Sequence, residues 1–226
     1  MSVVLPICYF KFYFLKYTGM SLLFIESPIL GTASVAGIAL AENYEVHTSV
    51  RYGLWIVLIF LLIFYRYTPH TKRYPDRAIV SPAEGLISRV KITPTHAYIS
   101  IFLSPINRHT QIYPANGTIV KRIYDATGKF KIAYNDDKCR DNEKMIHFLK
   151  LNHNDQILKV TQIAGFMVRC ISSETQTPKK VKAGEYLGII KFGSRVDILF
   201  PISSHTTIYA KEGQRVCIGS YLAILG

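Results

Sequence analysis

At 226 residues, with 49% hydrophobic and 19% charged side chains, the chain can hold one ordinary domain plus a small appendage, and its composition excludes a disordered protein. The formal net charge is +12, yet the basic residues stand singly or in pairs (Lys72-Arg73, Lys121-Arg122, Lys179-Lys180) with no nucleic-acid motif, so anionic lipid is the expected partner and nucleic acid is not. Four cysteines, Cys8, Cys139, Cys170 and Cys217, lie far apart without a CxxC pair, which argues against a zinc site or a disulfide framework and for reduced, mostly buried thiols.

In chain order, residues 3–25 (VVLPICYFKFYFLKYTGMSLLFI) are aromatic and apolar but interrupted by Lys11 and Lys16. They lack a small-residue cleavage site, so an interfacial helix is expected rather than a removed signal peptide. Two uncharged runs follow, Ser27–Ala41 and Tyr52–Tyr65. As helices they reach roughly 21–23 Å, short of the ~30 Å hydrocarbon core unless flanking arginines and tyrosines extend them. Ala33, Gly37 and Ala41 have a small-xxx-small spacing that lets a second helix approach. Residues 1–67 therefore read as membrane-associated segments, with a helical hairpin turning near Asn43–Thr48, inserted in or across one bilayer. A hydrophobic hairpin buried within a soluble domain is the alternative.

Residues 68–78 read as a basic, proline-bearing linker, and its charge favours the cytoplasmic side for whatever follows. From Ile79 the pattern changes to short apolar runs bounded by turn residues: AEGLISRVKI, HAYISIFLS, NGTIVKRIY, HFLKLNH, ILKVTQIAG, MVRCISS, EYLGIIKFG, RVDILFP and HTTIYA. This predicts a mainly β domain over 79–226. Two similar stretches, Val181–Ile190 and Ala210–Gly219, put glycines between brief strands. Biotinyl- and lipoyl-type proteins do the same, so a compact β-sandwich is expected rather than a barrel.

No GxGxxG, P-loop, HExxH or GxSxG occurs, and a Gly-Ser pair such as Gly193-Ser194 is by itself only a turn. Its company is more telling. The chain carries SPAEG (Ser81–Gly85), IFLSPINRH (Ile101–His109), YPANG (Tyr113–Gly117), QIAG (Gln162–Gly165) and GEYLGIIKFGSRVDILFP (Gly184–Pro201). In order and wording these blocks resemble the phosphatidylserine decarboxylase family, especially its short form, which typically reads SPADG, IFMSP with a following histidine, QIAG, and a GxxxGxIxFGSRVD block. The resemblance covers about residues 50–226.

The resemblance implies a self-cleaving proenzyme. Ser194 would attack the carbonyl of Gly193, and the ester formed would break by β-elimination into a β chain, 1–193, and an α chain, 194–226. A pyruvoyl group would remain at residue 194 as a covalent electron sink. The same resemblance makes His109 the base and Glu84, where the family usually has aspartate, its orienting acid; Asn107 also stands where an aspartate is common. The expected substrate is a serine phospholipid held at a membrane, with products phosphatidylethanolamine and carbon dioxide. No metal is implied, and homo-oligomer formation is left open. The competing expectation is a non-catalytic, membrane-anchored β-sandwich, either a degenerate decarboxylase or a biotinyl-like adaptor. The adaptor would need a lysine at a hairpin tip, and Lys191 lies in a strand-like run instead. A nucleic-acid or ribosomal β-protein would leave the apolar segments unexplained.

Overall fold

A computed structural model of the chain describes residues 23–44, 46–125, 142–165, 171–173, 177–191 and 194–226. The chain divides between Pro69 and His70 into two compact units. The N-terminal unit holds a short helix α1 (Leu23–Glu26) and two longer ones, α2 (Pro28–Asn43) and α3 (Thr48–Phe64). Pro28 opens α2, where its missing N–H costs nothing, and the His47 ring accepts from Ser49 N at the start of α3. The helices meet at Gly37, where an added Cβ would lie 3.9 Å from Leu54 Cδ2. The buried face of α2 runs Gly31, Ile38, Ala41, so Ala33 is exposed and only part of the small-residue stripe faces inward.

No helix among the described residues is long and apolar enough to cross a membrane. Large apolar side chains nevertheless stand outward on both long helices, Ile29 at 83% exposure and Ile56 at 67% among them. The interfacial segment expected at 3–25 lies almost wholly outside the described residues.

The C-terminal unit is antiparallel throughout. Its strands are β1 (Ala78–Val80), β2 (Gly85–Ile92), β3 (His96–Leu103), β4 (Thr110–Ile112), β5 (Gly117–Asp125), β6 (Lys144–Leu151) and β7 (Ile157–Ala164). They continue with β8 (Ile171–Ser173), β9 (Lys179–Val181), β10 (Tyr186–Ile190), β11 (Ser194–Pro201), β12 (Thr207–Ile208), β13 (Arg215–Val216) and β14 (Tyr221–Ile224). Eight of them form one sheet in the order β13-β2-β3-β11-β7-β6-β5-β9, and two three-stranded sheets, β1-β14-β12 and β4-β10-β8, complete the unit. Alternation sets the faces: Ala97, Ile99, Ile101 and Leu103 of β3 and Val196, Ile198 and Phe200 of β11 are all fully buried. Side chains from all three sheets join one hydrophobic core.

Several expectations change at this level. The stretch taken as a linker is not free beyond Pro69, because Tyr74 packs with Val80, Ile112 and Ala183 and its hydroxyl donates to the Gly219 carbonyl at 2.8 Å. Gly184, Gly213 and Gly219 do sit at turns, with φ of 95°, 82° and 80°. Gly188 does not; it lies inside β10, where a side chain would collide with the Ser172 carbonyl of β8. Cys217 is a free, exposed thiol rather than a buried one, and Cys8, Cys139 and Cys170 lie outside the described residues.

Gly85, the last residue of SPAEG, opens β2 directly against β3: an added Cβ would collide with the Phe102 carbonyl oxygen and crowd the Ile101 side chain at 3.1 Å. Backbone cannot step aside as a flexible side chain can. Gly85→Ala is expected to lower stability by about 1–3 kcal/mol, read as a shift of the urea midpoint at unchanged slope.

Candidate active site

The SPAEG segment is fixed at both ends. The Ser81 hydroxyl donates to the Ala83 carbonyl at 2.7 Å, and Ser81 N–H donates to the Ser220 carbonyl at 2.8 Å, clasping the turn beside β14. This aims Glu84 at the loop between β3 and β4, residues 104–109. That loop is knotted by Asn107, whose Oδ1 accepts from Ser104 N at 2.9 Å and from Ser104 Oγ at 2.7 Å. The other half of the same amide, Nδ2, donates to Glu84 Oε1 at 3.1 Å, and Arg108 Nε donates to Glu84 Oε2 at 2.9 Å.

Asparagine at 107 is thereby explained. An aspartate there would face the Glu84 carboxylate with no proton to offer, and two like charges would meet. The longer reach of glutamate at 84 and the amide at 107 form a matched pair.

His109 is fully buried. Its Nδ1 lies 2.8 Å from the Asn107 main-chain oxygen. A carbonyl only accepts, so Nδ1 carries the proton and the lone pair of the neutral ring sits on Nε2, which is buried as well. The hydrogen bonds of Glu84 described above go to Asn107 and Arg108, so it reaches the histidine loop through these neighbours.

Ser194 is the first residue of β11, paired with Leu103 on one side and Ala164 on the other. Its side chain is fully buried, and its hydroxyl has no hydrogen-bond partner among the described residues. Gly193 lies outside the described residues. The loop that bears His109 is tied to the chain on both sides of this point: Leu103, just before the loop, pairs with Ser194, and the His109 carbonyl accepts from Ile190 N at 3.1 Å. Glu84 and Asn107 also line a cleft of about 330 Å³, together with Ser104, Arg215 and Cys217. No group of three His, Cys, Asp or Glu side chains among the described residues could hold a metal ion.

Two buried polar clusters were not singled out from the sequence. On the face of β11 opposite Ser194, Arg195 and Asp197 form a two-pronged ion pair at 2.6 and 2.7 Å. The Tyr98 hydroxyl donates to the same carboxylate at 2.8 Å. Burial, with the Asp197 charge next, raises the Tyr98 phenol above its ordinary value and keeps it neutral. The Arg-Val-Asp spacing in a strand, which puts both charges on one face, was the available signal. The second cluster centres on His147, fully buried on β6, with Gln162 of QIAG on β7. Nothing in the sequence separates His147 from any other strand histidine.

The chain is similar to known proteins over most of its length. Residues 59–224 match the family model described as phosphatidylserine decarboxylase. A phosphatidylserine decarboxylase proenzyme of Pelodictyon phaeoclathratiforme is 33% identical over 170 residues, 73% of this chain and 78% of that protein. Those of Wolbachia pipientis wMel and Cytophaga hutchinsonii are each 34% identical, over 76% of this chain and 79% of the relative, and over 67% and 72%, respectively.

Burial lowers the His147 pKa to about 4; its bond to Gln162 pulls the value back up in part, and the Arg122 charge lowers it again. Between that value and the ordinary 6.5, the unfolded chain binds a proton that the folded chain does not. The contribution to stability is complete above pH 6.5 and is lost as pH falls toward 4. The loss is on the order of 3 kcal/mol. Urea unfolding at several pH values should show this loss in the wild type and a clearly flatter profile in His147→Gln.

Proposed function

The chain belongs to the phosphatidylserine decarboxylase family, and from that premise we propose that it cuts itself between Gly193 and Ser194 and then converts phosphatidylserine to phosphatidylethanolamine and carbon dioxide. The observation that carries the reading is the Ser194 hydroxyl, buried without a partner among the described residues at the head of β11 and within the family's FGSRVD wording.

In this reading His109 Nε2 takes the Ser194 Oγ proton as that oxygen attacks the carbonyl carbon of Gly193. The bond to the Ser194 nitrogen breaks, the nitrogen receives the proton, and an ester joins the two segments. Loss of the Ser194 Cα proton and scission of Cβ–Oγ then release residues 1–193 with a terminal carboxylate. The unsaturated residue left at 194 takes up water and expels ammonia. Glu84 is a positioning residue: it holds Asn107 and Arg108, and through Asn107 the carbonyl that fixes the His109 tautomer.

A pyruvoyl group fits this position on the grounds of the same hydroxyl, since no bonded partner among the described residues is stripped when Oγ departs. Once formed, it supplies an electron-withdrawing carbonyl beside the carbon that loses carbon dioxide. His109 Nε2 then serves to hold the proton that replaces the departing carboxylate. The core shared by all three sheets supports the β-sandwich of biotinyl or lipoyl kind. The exposed apolar side chains of α2 and α3 and the +12 balance support attachment to an anionic membrane, with the β unit on the cytoplasmic side.

Intact-mass measurement of the purified protein tests the central claim: it should give a 1–193 chain and a 194–226 chain with a pyruvoyl N-terminus. Ser194→Ala should stay whole and inactive, and an active, uncleaved wild type would sink the mechanism. Glu84→Ala should slow cleavage by about a hundredfold while Glu84→Asp retains it, and normal cleavage in Glu84→Ala would remove that residue from the machinery.

Membrane attachment is tested separately in the full chain by Ile29→Asp with Ile56→Asp, both at exposed apolar positions. Each should weaken co-sedimentation with anionic vesicles by about tenfold. The binding that remains should fall as salt rises, because it is electrostatic, and self-cleavage should be untouched.

A further inference from the structure

Four buried or half-buried side chains run in line from β5 to the residue read above as the base. Arg122 Nε lies 3.1 Å from His147 Nδ1, His147 Nε2 lies 2.9 Å from Gln162 Oε1, and Gln162 Nε2 lies 2.9 Å from Gln111 Oε1. Gln111 Nε2 then donates to the main-chain carbonyl of His109. His147, Gln162 and Gln111 are all fully buried.

The direction of every bond in this line is forced. A guanidinium only donates, so His147 Nδ1 must accept and the neutral ring keeps its proton on Nε2. That proton needs an acceptor, which fixes Gln162 with its oxygen toward His147 and its amide toward Gln111. Gln111 must in turn present its oxygen to Gln162 and its amide to His109, whose carbonyl can only accept. The groups facing His147 are Arg122 from β5, Gln162 from β7 and the Ser173 hydroxyl from β8, which lies 3.4 Å from Nε2 and donates to the Leu187 carbonyl at 3.0 Å. Aligned dipoles reinforce one another, and here all of them end on one carbonyl.

From this we infer that the line Arg122–His147–Gln162–Gln111 is a positioning device for His109, with Gln111 the positioning residue for self-cleavage. The His109 carbonyl receives two donors, Gln111 from this line and Ile190 N from the chain just ahead of the Gly193-Ser194 bond. The first holds the base to the core, and the second holds it to the segment to be cut. A purely structural core would be served as well or better by apolar side chains of the same volume, because buried polar groups must be fully matched to break even.

The inference rests on the reading of His109 as base, and the test separates the two. Full-length precursors are made by cell-free translation, moved to buffers from about pH 6 to about pH 8.5, and followed as the whole chain converts to the 1–193 fragment. Gln111→Glu keeps the shape and the acceptor for Gln162 but turns a carboxylate oxygen on the His109 carbonyl. At high pH it should cleave about tenfold or more slowly than wild type, the effect of one lost bond and one repulsion. Its rate relative to wild type should recover toward pH 6, as the carboxylate takes up a proton and can donate again.

A wild-type rate at high pH overturns the inference, and so does a deficit that does not change with pH in a folded protein. Should Gln111→Glu not fold, His147→Gln, which keeps the donor to Gln162, must cleave faster than His147→Leu, which does not; equal rates overturn the inference. Wild type and His109→Ala run alongside. A wild type that stays whole, or a His109→Ala that cleaves normally, overturns the site reading and this inference with it. If both behave as expected and Gln111→Glu is indifferent, only the positioning line falls.

Discussion

The Ser194 hydroxyl is held fully buried with no bonding partner among the described residues, a condition that ordinarily costs about 1–3 kcal/mol. A surface serine would rotate toward water, and a serine in a helix would bond back to the preceding turn. Here neither escape exists. Ser194 begins a strand in the middle of the eight-stranded sheet, with its backbone in register against Leu103 on one flank and Ala164 on the other. Along the same face Val196, Ile198 and Phe200 are sealed in the core. The next residue is fastened on the opposite face, where Arg195 is tied to Asp197 and Tyr98. The strand cannot twist to relieve its first side chain without breaking a buried ion pair, a change that costs about 3–5 kcal/mol when one partner is lost.

The same constraint accounts for the way the histidine loop is built. The base proposed for a fixed hydroxyl has to be fixed as well, and a six-residue loop offers little backbone pairing of its own. Asn107 supplies the closure, spending its oxygen on Ser104 and its amide on Glu84, while its main-chain oxygen orients the imidazole. The two departures from the family's usual residues, at 84 and 107, belong to one arrangement. Aspartate at 107 would leave a carboxylate facing a carboxylate, and the glutamate at 84 reaches the amide that takes its place.

What the sequence could disclose depended on whether the residues concerned lie together along the chain. SPAEG, IFLSPINRH and FGSRVD are contiguous, and they mark Glu84, His109 and Ser194 in the sequence itself. The long strands were legible through alternation, as in HAYISIFLS. The brief ones, β1, β4, β9, β13 and β14, run for two to four residues, too short for a period of two to show. Asn107 drew attention only as a missing aspartate, because its partner Glu84 is 23 positions away in sequence. The line of donors behind His109 was invisible for a stronger reason. Gln111, Arg122, His147 and Gln162 sit on four different strands, and only the register of β5, β6 and β7 with the placement of β4 brings them into a row.

Topology also bears on how such a protein could survive cutting its own backbone. A break before Ser194, as proposed, would fall at the start of β11, so no strand among the described residues would be divided. Residues 194–226 keep β11 between β3 and β7, β13 on the edge beside β2, and β14 between β1 and β12. They thus retain ladders to 1–193 in two sheets, and Val196, Ile198, Phe200, Leu222 and Leu225 remain in the common core. The full burial of these side chains, at roughly 1.5–3 kcal/mol each, would hold the two chains together without a covalent link. With the proposed scissile bond just before β11, the chain would lose one peptide bond while the ladders of β11 to β3 and β7 stay paired.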